Sequence, residues 1–486
     1  MRRYRALTLV CCVVAGFWPA VPAVADDAED LARLVSRLGK TRWTSNNSVE
    51  LLADPRRAWE ARLDLLESAE NHLFLTTFSW YDDDYGTRFR EALAAANHRN
   101  SRADDFRIQC LGDSVAMGFF TQRFDELRST GADVRSFHRS SWGMAPVYMA
   151  RMHDKMLIAD GRRAIVGGRN YSDIYYDPQH WWLDFGVHVE GGAVWDLQVI
   201  FLKSWSLSSD LSHAHHFAWP IESIGRRVQS LWASGRFPGG GSPLEPYFNE
   251  TFFPPYDTPP GSTRVAVLYD NPIVWERAPT ADVVLALVDR AAEELDLMTP
   301  FPNFEDSLTE ALVRAVERGV RVRLIVNDQA AALRVGPILK SSFPSLIRLI
   351  EGGVEVWGWK ADPELLEEVT ATECAPTIMP PVALHGKIVR MDDELVIVHS
   401  SNFNIRSTYY NTEAGVAVLD RGFNRRVKGL LDGLLDLRNF DLACTNGSRQ
   451  LTVDKVVNRL GPDDVEDMRR KLGHRQYFLD GMSLLW

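Results

Sequence analysis

Cysteine is scarce. The chain has 486 residues and five cysteines, and two of these, Cys11 and Cys12, sit in the first apolar run. The other three, Cys110, Cys374 and Cys444, are an odd number and form no disulfide framework. Cys110 lies in an apolar strand pattern and reads as core. A Cys374–Cys444 bridge would need an oxidising compartment. Long hydrophobic runs are also few: beyond the N-terminal one, no segment is long and apolar enough to cross a bilayer. Positive charge is in the minority, with 54 Lys and Arg against 65 Asp and Glu and a net charge of −11. Such a balance argues against non-specific nucleic-acid binding, which leans on basic patches. It leaves room for a local basic cleft. His213, His215 and His216 have no paired Cys or carboxylate motif nearby, so they read as a solvated loop and not as a metal site.

The N-terminal run has the order of a secretory signal peptide. Arg2, Arg3 and Arg5 precede an apolar stretch from Ala6 to about Trp18, and Ala23-Val24-Ala25 stands before Asp26-Asp27. Cleavage after Ala25 is expected, since the run is short for a full span; an uncleaved anchor is the alternative. Cleavage would make the protein an exported one and take its net charge from −11 to −14. Cys11 and Cys12 lack the preceding small residue and late position of a lipid-attachment site.

From residue 26 onward, strands alternate with helices. Leu31, Leu34, Val35 and Leu38 give a helical lead-in over residues 26–45. Strands are expected at 48–52, 71–78, 106–111 and 134–137, and helices at 56–69, 87–95 and around 124–129. The second half repeats that order. Its strands are expected at 265–269, 295–298, 320–326 and 354–357. Its helices are expected at 281–294, with Thr280 as N-cap, at 308–317 and around 346–352. Thr130-Gly131-Ala132-Asp133-Val134 and Gly352-Gly353-Val354-Glu355-Val356 look like counterparts. The pattern implies an α/β fold of two tandem units with mostly parallel sheets covered by helices. The Pro/Gly-rich stretch at 236–262 reads as the connection, between an N-terminal lobe at 26–235 and a C-terminal lobe at 263–440. The tail, 441–486, carries one expected helix (463–472) and an apolar end, Leu484-Leu485-Trp486, that would dock on the body or touch a membrane.

One stretch occurs twice. The first copy is His153-Asp154-Lys155, then Asp160, then Gly167-Gly168-Arg169-Asn170; the second is His385-Gly386-Lys387, then Asp392, then His399-Ser400-Ser401-Asn402. His and Asn are 17 apart in each, and the copies are offset by 232. In an extended strand, residues two apart share a face, so each imidazole projects beside an ammonium. A neutral imidazole can attack or accept a proton, and its protonated form can donate one. A lysine suits an anionic phosphate. Two such half-sites in one cleft would supply the attacking and the protonating group for displacement at phosphorus.

The doubled His-x-Lys-x4-Asp, each followed by a Gly/Ser-rich turn and Asn, resembles the signature of the phospholipase D superfamily. Asn402-Phe403-Asn404-Ile405-Arg406-Ser407, with Asn411-Thr412-Glu413 after it, is similar to the bacterial cardiolipin synthase branch. The similarity spans about residues 45–440. It implies two α/β/α lobes around a pseudo-two-fold axis and one shared active-site cleft. It also implies no metal or other cofactor. By the usual family order His153 would attack phosphorus and His385 would protonate the leaving oxygen. Lys155, Lys387, Asn170 and Asn402 would hold the phosphate oxygens, with Ser400 and Ser401 as further donors. Glu413 matches the family's orienting carboxylate, and Asp184 is its counterpart in the first copy. Asp160 and Asp392 complete the catalytic signature. Seven residues of strand and turn separate each from its histidine, so their part is read as structural, holding the turn. His399 departs from the glycine expected there; it would be tolerated, crowd the turn or add a contact near the phosphate. Trp181, Trp182, Trp357 and Trp359 read either as walls of a lipid-accessible cleft or as core.

The implied activity is a phosphatidyltransferase working on phospholipids at a bacterial membrane surface, periplasmic or peripheral. The alternatives are a phospholipase D hydrolase, a phosphodiesterase acting on nucleic acid, which the acidic balance disfavours, and a lipid-binding scaffold with a dead site, which two intact motifs disfavour.

Overall fold

The computed structural model describes residues 27–100, 106–113, 116, 123–137, 151–209, 245–256, 258–272, 274–328, 340–360, 381–436, 441–442, 449–450 and 457–472. The signal-peptide stretch, the histidines at 213–216, Cys374, Cys444 and the apolar C-terminal residues lie outside them.

The first half contributes β1 (Trp43–Leu52), β2 (His72–Thr77), β3 (Arg107–Asp113), β4 (Asp133–Phe137), β5 (Arg151–Met152), β6 (Met156–Ala159), β7 (Arg163–Gly167), β8 (Trp182–Leu183) and β9 (Gly186–Glu190). The second contributes β10 (Thr263–Asp270), β11 (Glu294–Met298), β12 (Arg321–Asn327), β13 (Glu355–Trp359), β14 (Ala383–Leu384), β15 (Ile388–Met391), β16 (Leu395–His399) and β17 (Asn411–Leu419). The tail adds β18 (Asp441–Leu442), β19 (Arg449–Gln450) and β20 (Val457–Arg459). One 16-stranded sheet runs through both halves. From its middle outward one arm reads β1-β9-β7-β6-β2-β3-β4 and the other β10-β17-β16-β15-β11-β12-β13, with β20 at the far edge. The arms are the same walk taken twice. Equivalent strands β1 and β10 pair antiparallel at the joint, Trp43 opposite Ala266.

The sheet is mixed, not mostly parallel as expected. Along the two arms only β2-β3-β4 and β11-β12-β13 run parallel. The motif strands β6–β7 and β15–β16 are hairpins, and a tight hairpin turn permits only antiparallel pairing. Asp160 and Asp392 sit in those turns with left-handed φ of 55° and 45°. Gly131 and Gly353 match as well, at φ 85° and 84°, a conformation in which a Cβ would be strained.

Helices cover both faces. α1 (Asp27–Gly39), α2 (Pro55–Ser68), α3 (Asp84–Arg99), α4 (Gly192–Ser209), α5 (Pro279–Arg290), α6 (Asp306–Glu317), α7 (Phe343–Glu351), α8 (Arg421–Leu435) and α9 (Pro462–Leu472) are the longer ones. α2 starts where Asp54 accepts from the Arg57 N–H and Pro55 takes the first helical position, as helix starts favour. Residues of α2 and α3 pack on the outer face of the first arm, and residues of α5, α6 and α7 on that of the second. α4 and α8 pack on the opposite face, in a core drawn from both arms. The sequence reading passed over α4, whose residues are apolar nearly all round. A helix buried on every side shows no stripe.

Three placements depart from expectation. α1 precedes the first lobe in the chain, yet Leu31 and Val35 pack with Leu268, Val283 and Leu287 of the second. The stretch 236–262 is no loose tether over its described part: Phe252 and Phe253 are buried, and Phe252 stacks on Phe74 at 5.9 Å. Thr280 does not cap α5. Pro279 occupies the first turn, and the Thr280 N–H donates to Asp270 at 2.9 Å. In the tail, β20 pairs with β13 and α9 packs into the second lobe's core. Among the described residues no helix is long and apolar enough to cross a membrane.

Candidate active site

The two motif histidines sit where the arms exchange strands. β5 leaves the first lobe and pairs parallel with β17 of the second, Met152 beside Thr412. β14 leaves the second and pairs parallel with β8 of the first, Leu384 beside Leu183. One residue further along each ladder, the register sets His153 beside Glu413 and His385 beside Asp184. The His153 N–H donates to Thr412 O at 3.0 Å and the His385 N–H to Leu183 O at 2.7 Å. The side chains follow: His153 Nδ1 lies 2.8 Å from Glu413 Oε2, and His385 Nδ1 lies 2.5 Å from Asp184 Oδ2. Each imidazole is thus held by the other lobe's carboxylate. The sequence supplied all four residues but not this crossing, which only the register reveals.

The carboxylates favour one tautomer, although Lys387 Nζ also lies 2.8 Å from His385 Nδ1. A carboxylate at Nδ1 calls for Nδ1–H, which leaves the Nε2 lone pair for chemistry. Burial pushes His153 down to about 4 and His385 down to about 3, so both rings are neutral near pH 7. Burial alone would raise the carboxylates. Pairing with His153 and the charge of Lys155 bring Glu413 down to about 2, and the charge of Lys387 and pairing with His385 bring Asp184 down to about 2. Lys387 acts electrostatically on His153, and Lys155 on His385, so the two half-sites share one field. Lys155 Nζ donates to His153 O at 2.5 Å, and Lys387 Nζ donates to His385 O and lies 4.0 Å from Asp184. Burial lowers Lys155 to about 7 and Lys387 to about 8.

The remaining motif residues divide by what they touch. Glu413 also accepts from Ser400 Oγ at 2.5 Å, Ser407 Oγ at 2.8 Å and Asn411 Nδ2 at 3.0 Å. Ser400 therefore orients a carboxylate and is not the expected phosphate donor. Ser401 braces its turn: its Oγ accepts from the Phe403 N–H and its N–H donates to His399 Nδ1, which leaves its own O–H to give. Asp160 accepts from the backbone N–H groups of Glu70, Asn71 and His72. Asp392 does the same for Ala292, Glu293 and Glu294. These aspartates clamp the starts of β2 and β11 and take no place beside the imidazoles, as the structural reading held and the catalytic grouping did not. Asn402 makes no side-chain hydrogen bond to the described residues, and its buried Oδ1 is without a partner. Asn170 is engaged: Nδ2 donates to Tyr175 Oη at 3.0 Å and Oδ1 accepts from the Ser79 N–H at 3.3 Å.

The lobes differ in matched pairs. A Cβ on Gly168 would meet Asp184 Oδ1 at 2.2 Å, whereas its counterpart Ser400 bonds the longer Glu413. A short carboxylate goes with Gly, a long one with Ser. His399 faces Gly415 in the ladder, as Gly167 faces Gly186. A Cβ on Gly415 would lie 2.3 Å from the His399 ring, so the missing side chain opposite makes the departure tolerable. His399 Nε2 lies 3.3 Å from Leu268 O, so the ring braces its own turn.

Aromatic rings flank the two histidines unequally. Phe78 meets His153 edge-on at 5.0 Å. Tyr175 and Trp182 meet His385 at 5.3 and 5.8 Å. Of the tryptophans singled out in the sequence, only Trp182 touches a catalytic ring. Trp181 and Trp359 are core, and Trp357 packs against it. Tyr175 was missed; its signal was its place five residues past Asn170 in Asn170-Tyr171-Ser172-Asp173-Ile174-Tyr175.

Residues 284–434 match the family described as "Cardiolipin synthase, PLD-like domain". Cardiolipin synthase B of Escherichia coli (strain K12) is 26% identical over 407 residues, 82% of each chain. Cardiolipin synthase 1 of Bacillus anthracis is 22% identical over 399 residues, 79% of this chain and 65% of that one. In fold, the crystal structure of phosphatidylserine synthase from Haemophilus influenzae Rd KW20 superposes with a TM-score of 0.58 at 14% identity, over 94% of this chain and all of that one. The chain is thus similar over about four fifths of its length to cardiolipin synthases of the phospholipase D type, and these homologues indicate an enzyme of that type.

Proposed function

We propose that the enzyme is a phosphatidyltransferase of cardiolipin synthase type, moving a phosphatidyl group from a phospholipid to an alcohol through a phosphohistidine. The observation that carries this reading is the crossed pair, His153–Glu413 and His385–Asp184. It presents two neutral imidazoles, each with Nδ1–H on a carboxylate, and two lysines in one electrostatic site. In the first step His153 Nε2 forms a bond to phosphorus while the bond from phosphorus to the leaving alcohol oxygen breaks. His385, which takes up a second proton at Nε2 as the anionic phosphodiester binds beside it, gives that oxygen the proton. In the second step the acceptor hydroxyl gives its proton to His385, its oxygen bonds phosphorus, and the N–P bond breaks. The second step thus returns to His385 the proton that the first step gave to the leaving alcohol. Lys155 and Lys387 supply fixed positive charge for the oxygens of the five-coordinate transition state. The names of the E. coli and B. anthracis relatives support the lipid substrate and the transfer. The leader-like N-terminus supports an exported enzyme that works at a membrane surface.

The test is product identity. Protein from residue 26 onward is incubated with vesicles of phosphatidylglycerol or phosphatidylethanolamine, with and without glycerol. Cardiolipin or head-group-exchanged lipid is the expected product. Phosphatidic acid alone would make the enzyme a hydrolase, and cleaved DNA without lipid turnover would overturn both.

A further inference from the structure

The expectation that Asn170 holds a phosphate oxygen meets a geometric difficulty. One N–H of its amide points at Tyr175 Oη, 3.0 Å away, and its carbonyl is bonded to Ser79. In the second lobe the equivalent Asn402 makes no such bond, and the residue in the place of Tyr175, offset by 232, is Ser407, which turns to Glu413. The two lobes therefore present different donors to the cleft.

Tyr175 is well placed to be the first lobe's donor. Its side chain is only 3% exposed, and its ring meets the His385 imidazole edge-on at 5.3 Å. Its one hydrogen bond among the described residues is received, from Asn170. A phenol that accepts from an amide still has its own O–H to give, and a buried donor without an acceptor is costly. Burial, with the charge of Asp184 behind it, pushes the phenol well above its ordinary range, so the proton stays on. Accepting from Asn170 also polarises the O–H bond and strengthens it as a donor.

We propose that Tyr175 is a substrate-contacting residue, donating its hydroxyl proton in a hydrogen bond to a non-bridging oxygen of the reacting phosphodiester, with Asn170 acting through it as a positioning residue. This rests on the phosphatidyltransfer reading of the same site. On this view Lys155, Lys387, Asn402 and Tyr175 divide the phosphate oxygens between them, and the contribution of Asn170 is indirect.

The test compares wild type with Tyr175→Phe, which keeps the ring against His385 and removes only the hydroxyl. Phosphatidylglycerol and its two phosphorothioate diastereomers, in which sulfur replaces one non-bridging oxygen, serve as donors. The expected result is a 10- to 100-fold fall in kcat with KM within threefold, and a melting temperature within 2 °C of wild type. One diastereomer should be slowed at least fivefold in wild type, and that penalty should vanish in Tyr175→Phe, because sulfur is the poorer acceptor. Activity within twofold of wild type would overturn the proposal. So would a slow variant that keeps the full sulfur penalty, which would make Tyr175 merely structural. A wild-type enzyme that turns over no phospholipid would instead sink the functional reading on which the proposal stands.

Discussion

His153 and Glu413 are 260 residues apart in the chain and 2.8 Å apart in the fold. Neither belongs to the lobe that completes it. His385 and Asp184 make the reciprocal pair, so the active site exists only when β5 and β14 have crossed to the opposite arm.

Removing either ring should remove turnover. His153→Ala and His385→Ala are each expected to lower kcat by about 10^3-fold or more, and the double variant should be little worse than either. Steady-state lipid assays with thermal melts as the folding control check this. Retained activity in one single variant would take that ring out of the mechanism.

The orienting carboxylates should matter through proton position, not charge alone. Glu413→Gln and Asp184→Asn leave the shape but can donate to Nδ1 and so favour the wrong tautomer. A loss of about 10^2- to 10^4-fold in kcat is expected for each, on the scale seen when the acid of a Ser-His-Asp triad is amidated. Glu413→Gln should be the worse for stability, since Ser400, Ser407 and Asn411 also converge on that carboxylate. Equal and small losses would contradict the crossed-pair reading.

The motif aspartates should behave in the opposite way. Asp160→Asn and Asp392→Asn each weaken a carboxylate that accepts three backbone N–H groups. A cost of about 1–3 kcal/mol in stability is expected for each, with kcat per folded molecule nearly unchanged. Denaturation curves and active-site-normalised rates separate the two, and a collapse of kcat in a fully folded variant would restore these residues to the chemistry.

His399 offers a pH test with a defined sign. Burial holds its folded-state value down at about 4, against about 6.5 in an unfolded chain. Between those values the unfolded state binds more protons, so the stability contribution falls as pH drops from about 6.5 to about 4. Asp154 and Asp270, raised to about 7 and about 8 by burial, pull the other way in that window. Comparison with His399→Gly therefore isolates the one group: the melting temperature of wild type should fall more steeply with acid than that of the variant. Gly415→Ala should cost about 1–3 kcal/mol through overpacking, since a Cβ there would meet both the His399 ring and the Val398 carbonyl. Parallel acid profiles, or a Gly415→Ala variant as stable as wild type, would contradict this account.

The doubled motif made the fold class and the reacting residues legible, because His, Lys and Asn at a fixed offset are a local pattern. Glu413 and Asp184 were legible as residue types, but their partners were set by the two short parallel ladders, Met152 beside Thr412 and Leu384 beside Leu183. Nothing in residues 151–153 or 383–385 says which strand they will join. Ser400 misled because a hydroxyl beside a phosphate motif looks like a phosphate donor, whereas here it satisfies Glu413 first. α4 was invisible for lack of a polar face. α1 was assigned to the wrong lobe because chain order was taken for spatial order. Tyr175 needed the Asn170 bond to be noticed at all.

The most direct test of a shared two-imidazole site is to trap its covalent intermediate. His385→Ala is mixed with a phosphatidyl-p-nitrophenol donor, whose leaving group needs no proton, and the digested protein is read by mass spectrometry. A phosphatidyl adduct on the peptide carrying His153 is the predicted result. Lipid turnover by wild type with no adduct on either histidine, in wild type or variant, would contradict it.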